Sequence, residues 1–280
     1  MLSITLSLTA CLGWGLADFL GGLKSRQLPA LTVLIYANFF GSLTIGAIVL
    51  LRGVFLPLNP ELLWAVLGGL SGMLAMLMLY KGLAVGSMSI IAPLSASGVI
   101  LPVLWGLIMG ESLGLVRTLG IAVAICGVFC ASREKDPFSQ AKRLTRGLNL
   151  ALGAALGFGL FFIFMDRASE VDPYWATLIM RITHGLFLLP LLFFTRPSLK
   201  VDHSDLPGIV ILGTVDALAG FAYALATTIG LLSIVSVVGS LYPAATVILS
   251  TLILHERQQA IQYLGVVLAL TGVVLLSYPA

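Results

Sequence analysis

Charged residues are scarce in this sequence. Of its 280 residues only 10% are Asp, Glu, Lys or Arg, whereas 59% are hydrophobic and the mean hydropathy is +1.08. Soluble domains carry roughly 25% charged residues, and a soluble chain of this length would need polar surface to cover its core. The composition therefore excludes an ordinary water-soluble domain and indicates that lipid is the solvent.

Cysteine and catalytic motifs are also scarce. The three cysteines, Cys11, Cys126 and Cys130, lie inside apolar segments without nearby clusters of His or Asp, which predicts small buried side chains and no metal site. No Walker-type phosphate loop, GxSxG or HExxH motif occurs. Their absence disfavours an ATP-driven pump and a membrane-embedded enzyme, and we expect no cofactor. The small net charge of +3 does not suggest nucleic-acid binding.

Long apolar segments recur along the whole chain. A spanning helix needs about 20 apolar residues, and the first segment, which no basic stretch precedes, predicts a span and not a cleaved signal peptide. The stretch 217–255 lacks Asp, Glu, Lys and Arg and is too long for one crossing, so we place a turn near Gly230. The ten predicted spans lie near 2–23, 30–51, 62–83, 88–109, 114–132, 147–165, 174–195, 206–228, 231–254 and 258–277.

One phrase appears twice. LGWGLADF at 12–19 returns as LGFGLFFI at 156–163, which is 144 residues later, with Phe162 in the place of Asp18. Further identities follow at an offset of 144 and, after one residue is gained, at 145. An almost constant offset across five spans indicates an internal duplication. The matched pairs include Pro29 and Pro173, Gly41 and Gly185, Gly68 and Gly213, Ser95 and Ser240, Glu111 and Glu256, and Gly120 and Gly265.

The duplication predicts two five-span repeats, at 1–132 and 147–280, joined by a polar linker at 133–146. Because five is an odd number, the second repeat must enter the membrane from the opposite side. Inverted repeats of this kind are the usual construction of secondary transporters, which place the substrate site at the repeat interface near the membrane midplane.

Two equivalent segments carry a family resemblance. YKGLAVGSMSIIAPLSASGVILPVLWGLIMGESL (80–113) and LLSIVSVVGSLYPAATVILSTLILHERQ (231–258) resemble the EamA-like members of the drug/metabolite transporter superfamily. The resemblance covers essentially the whole chain. It implies an all-α membrane protein of ten transmembrane helices in two inverted five-helix repeats, with alternating access through a cavity lined by spans one, three, four, six, eight and nine.

The resemblance also implies a substrate class. Small organic metabolites such as amino acids or sugars are the leading class, carried with or without coupling to protons, and lipophilic drug efflux is the alternative. A membrane-embedded enzyme or a channel-like protein is the alternative from another class. The expected partners are therefore a small-molecule substrate and the lipid bilayer, with the oligomeric state left open.

Lys and Arg divide unevenly between the two membrane faces. The odd-numbered loops hold eleven of them and the even-numbered loops hold three. The positive-inside rule places the odd loops in the cytoplasm and both termini outside the cell membrane, whereas the family resemblance favours cytoplasmic termini. We call the face of loops 1, 3, 5, 7 and 9 the odd side, and the opposite face the even side.

Four ionisable side chains fall inside the predicted spans: Asp18, Arg181, His184 and Asp216. Each costs roughly 2.5–3.5 kcal/mol on insertion scales and so needs a reason to be there. At about 1.5 Å per residue from the odd side, Asp18 is about 8 Å deep, and His184 and Asp216 are about 15–16 Å deep. Equal depth predicts that His184 and Asp216 lie within hydrogen-bonding reach, directly or through one water, with Arg181 nearby.

Trp14 lies one turn from Asp18, near the level of Asp216. We interpret Trp14, Asp18, Tyr80, Asp216 and Tyr242 as candidate substrate-binding residues. Arg181 and His184 are candidate coupling or supporting residues. The alternatives are that the charges only fix helix packing and that the tyrosines belong to an interfacial belt.

A carboxyl group in an apolar cavity can hold a proton, because such surroundings disfavour its charged form. Asp216 or Asp18 could therefore link transport to protons, and Asp18 is the alternative if Arg181 pairs with Asp216. Other polar residues have simpler interpretations. Glu111 and Glu256 are read as charges at helix boundaries, and Ser233, Ser236 and Ser240 as packing residues.

Overall fold

The computed structural model describes residues 1–25, 27–85, 94–131, 141–254 and 259–277. Within these ranges the chain is helical and contains no strand. The α-helices are α1 (Leu2–Ser25), α2 (Ala30–Arg52), α3 (Leu63–Val85), α4 (Ile100–Ile108), α5 (Leu115–Ala131), α6 (Ala141–Val171), α7 (Pro173–Thr195), α8 (Leu206–Thr227), α9 (Leu232–Gly239), α10 (Tyr242–Leu254) and α11 (Ala260–Leu276).

In the described part of the chain, seven helical segments are long and apolar enough to cross a membrane. They correspond to predicted spans one, two, three, six, seven, eight and nine, and the last of them combines α9 and α10. Spans four, five and ten correspond to shorter apolar helices, Leu94–Ile108, Leu115–Ala131 and Ala260–Leu276. At about 1.5 Å per residue these cover less than the hydrocarbon core of about 30 Å, so ten complete crossings remain a prediction.

Local sequence signals explain several helix ends. Gly53, with a φ of 67°, closes α2 in the left-handed conformation that glycine adopts without steric cost. Asp172 accepts hydrogen bonds from the N–H groups of Tyr174 and Trp175 at the start of α7, as an N-cap residue should. The turn predicted near Gly230 is present, since α8 ends at Thr227 and α9 begins at Leu232.

The repeated glycine phrase forms close helix contacts in both halves. A Cβ atom added to Gly13 would lie 2.7 Å from the Cβ of Ala219 on α8. A Cβ atom added to Gly157 would lie 2.8 Å from the Cβ of Ala75 on α3. Only glycine permits these approaches. Gly157 follows Gly13 by 144 residues, and Ala219 follows Ala75 by the same number. The two contacts are therefore equivalent.

The second glycine of each phrase behaves in the same way. Gly15 packs against the carbonyl of Tyr242 and the side chain of Ala245 on α10. Its counterpart Gly159 packs against the carbonyl of Gly98 and the side chain of Leu101. The two helix contacts are again related by an offset of 144 residues, which joins Gly98 to Tyr242 and Leu101 to Ala245. Helix α1 is thus wedged between α8 and α10, and α6 is wedged between α3 and α4.

The one extra residue that changes the offset between the halves from 144 to 145 lies later in the chain than the sequence identities suggest. Matches such as Gly68 with Gly213 predicted an offset of 145 from span three onward, but the contacts above keep 144 through Leu101 and Ala245. Between α5 and α11 the offset is 145: Gly127 contacts Ala269, and Gly272 contacts Ala124. The extra residue of the second half therefore lies between Ala245 and Ala269.

Ion pairs connect helix ends on both sides of the bundle. On the odd side, Lys24 at the end of α1 lies 2.7 Å from Asp205, directly before α8. On the even side, Arg52 at the end of α2 lies 2.5 Å from the α7 N-cap Asp172 and 4.1 Å from the centre of the Tyr174 ring. These pairs join helices of different halves.

Candidate functional site

Trp14 sits at the centre of an aromatic cluster contributed by four helices. Its ring centroid lies 5.7 Å from that of Tyr223 on α8 and 6.5 Å from that of Tyr242 on α10. On α6, Phe161 and Phe162 lie 6.4 and 6.1 Å away. Tyr223 and Phe162 are buried, whereas Trp14 and Tyr242 are only half-buried. We call these five residues the aromatic cluster.

Asp18 lies one turn beyond Trp14 on the same face of α1. That face is directed into the protein, because the neighbouring Gly15 contacts α10 and Gly13 contacts α8. The opposite face carries the exposed Thr9 and Leu12. Asp18 is nevertheless exposed. We infer that the exposed side chain of Asp18, on this inward-directed face, lines a cavity between the helices.

Open space also lies beside α1 between Asp18 and the odd side. Gly22, one turn closer to that side on the same face of α1, is exposed, and a Cβ atom added there would meet no atom within 4 Å. On α8, Asp216 faces Asp18 closely enough for the two carboxylates to interact electrostatically. Within the described ranges, Asp18 forms no ion pair.

Asp216 pairs with Arg181. The Nη1 atom of Arg181 lies 2.7 Å from Oδ2 of Asp216, and the arginine side chain is 5% exposed against 33% for the aspartate. Space for the guanidinium comes from glycines: a Cβ atom added to Gly41 would lie 3.4 Å from Nη1, and one added to Gly220 would lie 3.8 Å from Nη2. The buried guanidinium of Arg181 therefore compensates the charge of the partly exposed Asp216.

His184 points away from Asp216, toward α3. Its imidazole interacts with the backbone of Gly69, and a Cβ atom added to Gly72 would lie 3.6 Å from its Nε2 atom. The direct hydrogen bond predicted between His184 and Asp216 is therefore not formed in this structure, although Arg181 lies nearby as expected. Rotation about the helix axis directs Arg181 and His184 toward different neighbours, and the alternative contact through one water stays a prediction.

Three buried polar atoms of this region have no hydrogen-bond partner: Oδ1 of Asn38, Nε of Arg181 and Nε2 of His184. Asn38 on α2 approaches α7, since a Cβ atom added to Gly185 would lie 3.1 Å from its Nδ2 atom. Buried polar groups without partners are few in native proteins. Three such atoms beside the Arg181–Asp216 pair show that the region between α2, α7 and α8 is polar. Asn38 was not among the residues predicted from the sequence.

On the even side of the aromatic cluster the helices are tightly joined. The hydroxyl of Tyr223 donates to the carbonyl of Phe162 at 3.1 Å and accepts from the hydroxyl of Ser236 at 3.0 Å. Ser236 and Tyr223 are both buried. The hydroxyl of Ser240 donates to the carbonyl of Val237, so these serines serve helix packing, in keeping with the sequence interpretation.

Glu111 forms a contact that the sequence did not suggest. Its Oε1 atom accepts from the N–H of Leu232 at 2.5 Å, its Oε2 atom accepts from the N–H of Ser233 at 3.1 Å, and the Ser233 hydroxyl also donates to it. The first N–H groups of a helix lack partners within the helix, and Leu231 at the N-cap of α9 supplies none. Glu111 therefore caps a helix of the other half.

Two of the predicted residues give less information. Tyr242 belongs to the aromatic cluster, as described above. The backbone of Tyr80 lies in α3, but its side chain is outside the described part of the structure, and so is Glu256. The structure thus brings together Trp14 with Tyr242, Asp18 with Asp216, and Asp216 with Arg181.

Comparison with known proteins agrees with this architecture. The model of the EamA-like transporter family matches the chain twice, over residues 1–133 and 145–278. Among solved structures, a crystal structure of a protein with 17% sequence identity superposes with a TM-score of 0.85, covering 98% of this chain and 96% of its own. At that identity it shows the shared fold alone.

Comparison with curated protein sequences finds no match. The two family matches account for nearly the whole chain, and together with the seven apolar helices they make it a multi-pass integral membrane protein. The match also agrees with the resemblance to the drug/metabolite transporter superfamily. The chain belongs to the EamA-like transporter family.

Proposed function

We propose that this protein is a secondary active transporter that moves a small organic metabolite across the cell membrane by alternating access. In this proposal ten spans form two inverted repeats, at 1–132 and 147–280, around one central site. Family membership supports transport, and the equivalent contacts of Gly13 and Gly157 support the repeat. An odd number of spans in each repeat gives them opposite orientations in the membrane.

The observation that carries the proposal is the difference between the two ends of the central site. Toward the odd side, Asp18 is exposed and the space beside Gly22 is open. Toward the even side, the ring of Tyr223 is fully buried and is bonded to α6 and α9. A site open to one side and closed to the other is what alternating access requires of each state.

Glu111 supports the same mechanism, because its contact joins the two halves at the closed end. Its carboxylate is bound to three donors at the start of α9. Opening the even side would require α9 to move away from the α4–α5 connection, which breaks these hydrogen bonds. The contact therefore stabilises the state that is open to the odd side.

Proton coupling is assigned to Asp18 within this proposal. Arg181 keeps Asp216 compensated, whereas Asp18 has no cation beside it in the described residues. An uncompensated carboxylate at membrane depth is costly, so Asp18 can hold a proton when no substrate is bound. The proton is released when a substrate that stabilises the carboxylate enters.

Reconstitution of the full chain into liposomes tests the proposal. Substrates are first sought by thermal shift across a panel of amino acids, amines, sugars and organic acids, and hits are then assayed for uptake and counterflow. We expect saturable uptake that is accelerated by unlabelled substrate on the opposite side. Flux that rises linearly with concentration and shows no counterflow would support a channel, and turnover without flux would support an enzyme.

A further inference from the structure

We propose that the central site binds an organic cation, with its protonated or quaternary nitrogen between Asp18 and Trp14 and its apolar ring against Trp14 and Tyr242. This inference rests on the proposed transport function and specifies its substrate class.

The charge balance of the site is the first argument. Two carboxylates, Asp18 and Asp216, face each other, and a single guanidinium, that of Arg181, is bound to one of them. Helices α9 and α10 contain no Asp, Glu, Lys, Arg or His in the described part, and α2 carries only Arg52, at its even end. One negative charge is left over at Asp18, and a bound monocation completes the balance.

The aromatic surface is the second argument. Trp14 and Asp18 are separated by four residues on one helix, which places their Cβ atoms about 5–6 Å apart. A cation held by Asp18 therefore lies close to the indole ring, and tryptophan is the aromatic side chain that attracts cations most strongly. Trp14 and Tyr242 keep accessible surface, while Phe162 and Tyr223 behind them are buried.

Other substrate classes fit the site less well. An anion would need an uncommitted cation, but Arg181 is 5% exposed and is engaged by Asp216. An inorganic cation would need several oxygen or nitrogen ligands, and among the described residues no group of three or more His, Cys, Asp or Glu side chains could hold a metal ion. A neutral sugar offers no charge to replace the proton of Asp18, so its binding would not release that proton.

Binding of the cation is linked to release of a proton. The protonated Asp18 carboxyl group loses its proton to the aqueous cavity, and the resulting carboxylate pairs with the nitrogen of the substrate. One positive charge enters as one leaves. Exchange of a monovalent substrate for one proton is therefore electroneutral, and the membrane potential contributes nothing to its driving force.

Isothermal titration of the purified full chain in detergent tests the site without requiring transport. The cationic probes are phenyltrimethylammonium and N-methylquinolinium, and the neutral and anionic probes of similar size are benzyl alcohol and benzenesulfonate. We expect at least one cation to bind, with a Kd that falls as the pH rises, and no measurable binding of the other two. Titration in weak buffer should detect about one proton released for each cation bound.

Three variants locate the site. Asp18→Asn should weaken cation binding by roughly 10- to 100-fold, the value of a charge-assisted contact, and should abolish proton release. Trp14→Leu should weaken it by roughly 3- to 30-fold while keeping proton release. Asp202→Asn changes an exposed loop carboxylate on the odd side and should behave as the wild type.

The outcomes separate this inference from transport itself. Equal binding of benzyl alcohol and the cations, preference for benzenesulfonate, failure of both cations to bind, or full binding by Asp18→Asn overturns it. If the cations bind at Asp18 but liposomes show no flux, the transport proposal fails and the site stands. If a neutral or anionic metabolite is transported independently of Asp18, transport stands and the cation site is wrong.

Discussion

The guanidinium of Arg181 lies 2.7 Å from the carboxylate of Asp216, so the two intramembrane charges of α7 and α8 compensate each other. Asp18 on α1 faces the same carboxylate and has no such partner among the described residues. The two carboxylates thus differ in their surroundings. Asp216 is paired with an arginine, whereas Asp18 is exposed and has no ion pair among the described residues.

Loss of Arg181 should destabilise the protein. Removing one partner of a fully buried pair costs about 3–5 kcal/mol, and because Asp216 is one-third exposed we expect Arg181→Gln to cost about 2–3 kcal/mol. Thermal unfolding in detergent measures the change. Arg167→Gln is the control, because its pair with Glu170 is exposed and contributes about 0–1 kcal/mol.

Removing both charges should restore most of that stability. In Arg181→Gln/Asp216→Asn the carboxylate no longer needs compensation, so the double variant should unfold at a higher temperature than Arg181→Gln. A double variant that is no more stable than Arg181→Gln would mean that the arginine acts through packing and not through its charge.

The two glycine contacts between the halves should be equally intolerant of a methyl group. Gly13→Ala and Gly157→Ala bring the new Cβ atom to 2.7 and 2.8 Å from the Cβ atoms of Ala219 and Ala75, and overpacking of this kind costs about 1–3 kcal/mol. Thermal unfolding should show similar losses for both. Gly22→Ala is the control, since its Cβ atom would meet open space.

A compensating substitution makes this prediction specific. Ala219→Gly removes the methyl group that Gly13→Ala would meet, so the pair of changes should recover stability relative to Gly13→Ala alone. The same should hold for Gly157→Ala with Ala75→Gly. Recovery in one half but not in the other would contradict the equivalence of the two contacts.

The sequence predicted the parts of this architecture that depend on composition and spacing. Ten apolar segments, the turn near Gly230 and the duplication all follow from where hydrophobic residues and glycines lie along the chain. Asp18 and Asp216 could be identified because a carboxylate is costly in an apolar segment. Each of these signals is present in a single segment, or in the comparison of one segment with its repeat.

Contacts between distant segments could not be predicted in the same way. Glu111 was interpreted as a boundary charge, because its three donors lie more than a hundred residues away at the start of α9. His184 was placed beside Asp216 by depth alone, whereas the rotation of α7 turns it toward Gly69. Partner choice depends on helix rotation and packing, which hydropathy does not specify.

Glu111 should slow amide hydrogen exchange at the beginning of α9. Glu111→Ala leaves the N–H groups of Leu232 and Ser233 without their acceptor, and loss of a cap costs about 0.5–2 kcal/mol. Hydrogen exchange of the amides at 232–236 should therefore accelerate, about tenfold for each 1.4 kcal/mol lost. Glu61→Ala, at an exposed carboxylate on the same side, should leave this exchange unchanged, and equal effects of both changes would exclude a capping role.

Coupling to protons should depend on Asp18 and not on Asp216. With the membrane potential clamped, wild-type flux of the identified substrate should respond to an imposed pH gradient, because Asp18 must release a proton for each substrate it binds. Asp18→Asn cannot release that proton and should lose the response. Arg181→Gln/Asp216→Asn keeps Asp18, so whatever flux it retains should still respond to the gradient. The opposite pattern, with the response kept in Asp18→Asn and lost in the double variant, would assign coupling to Asp216 and would mean that its pairing with Arg181 is broken during transport.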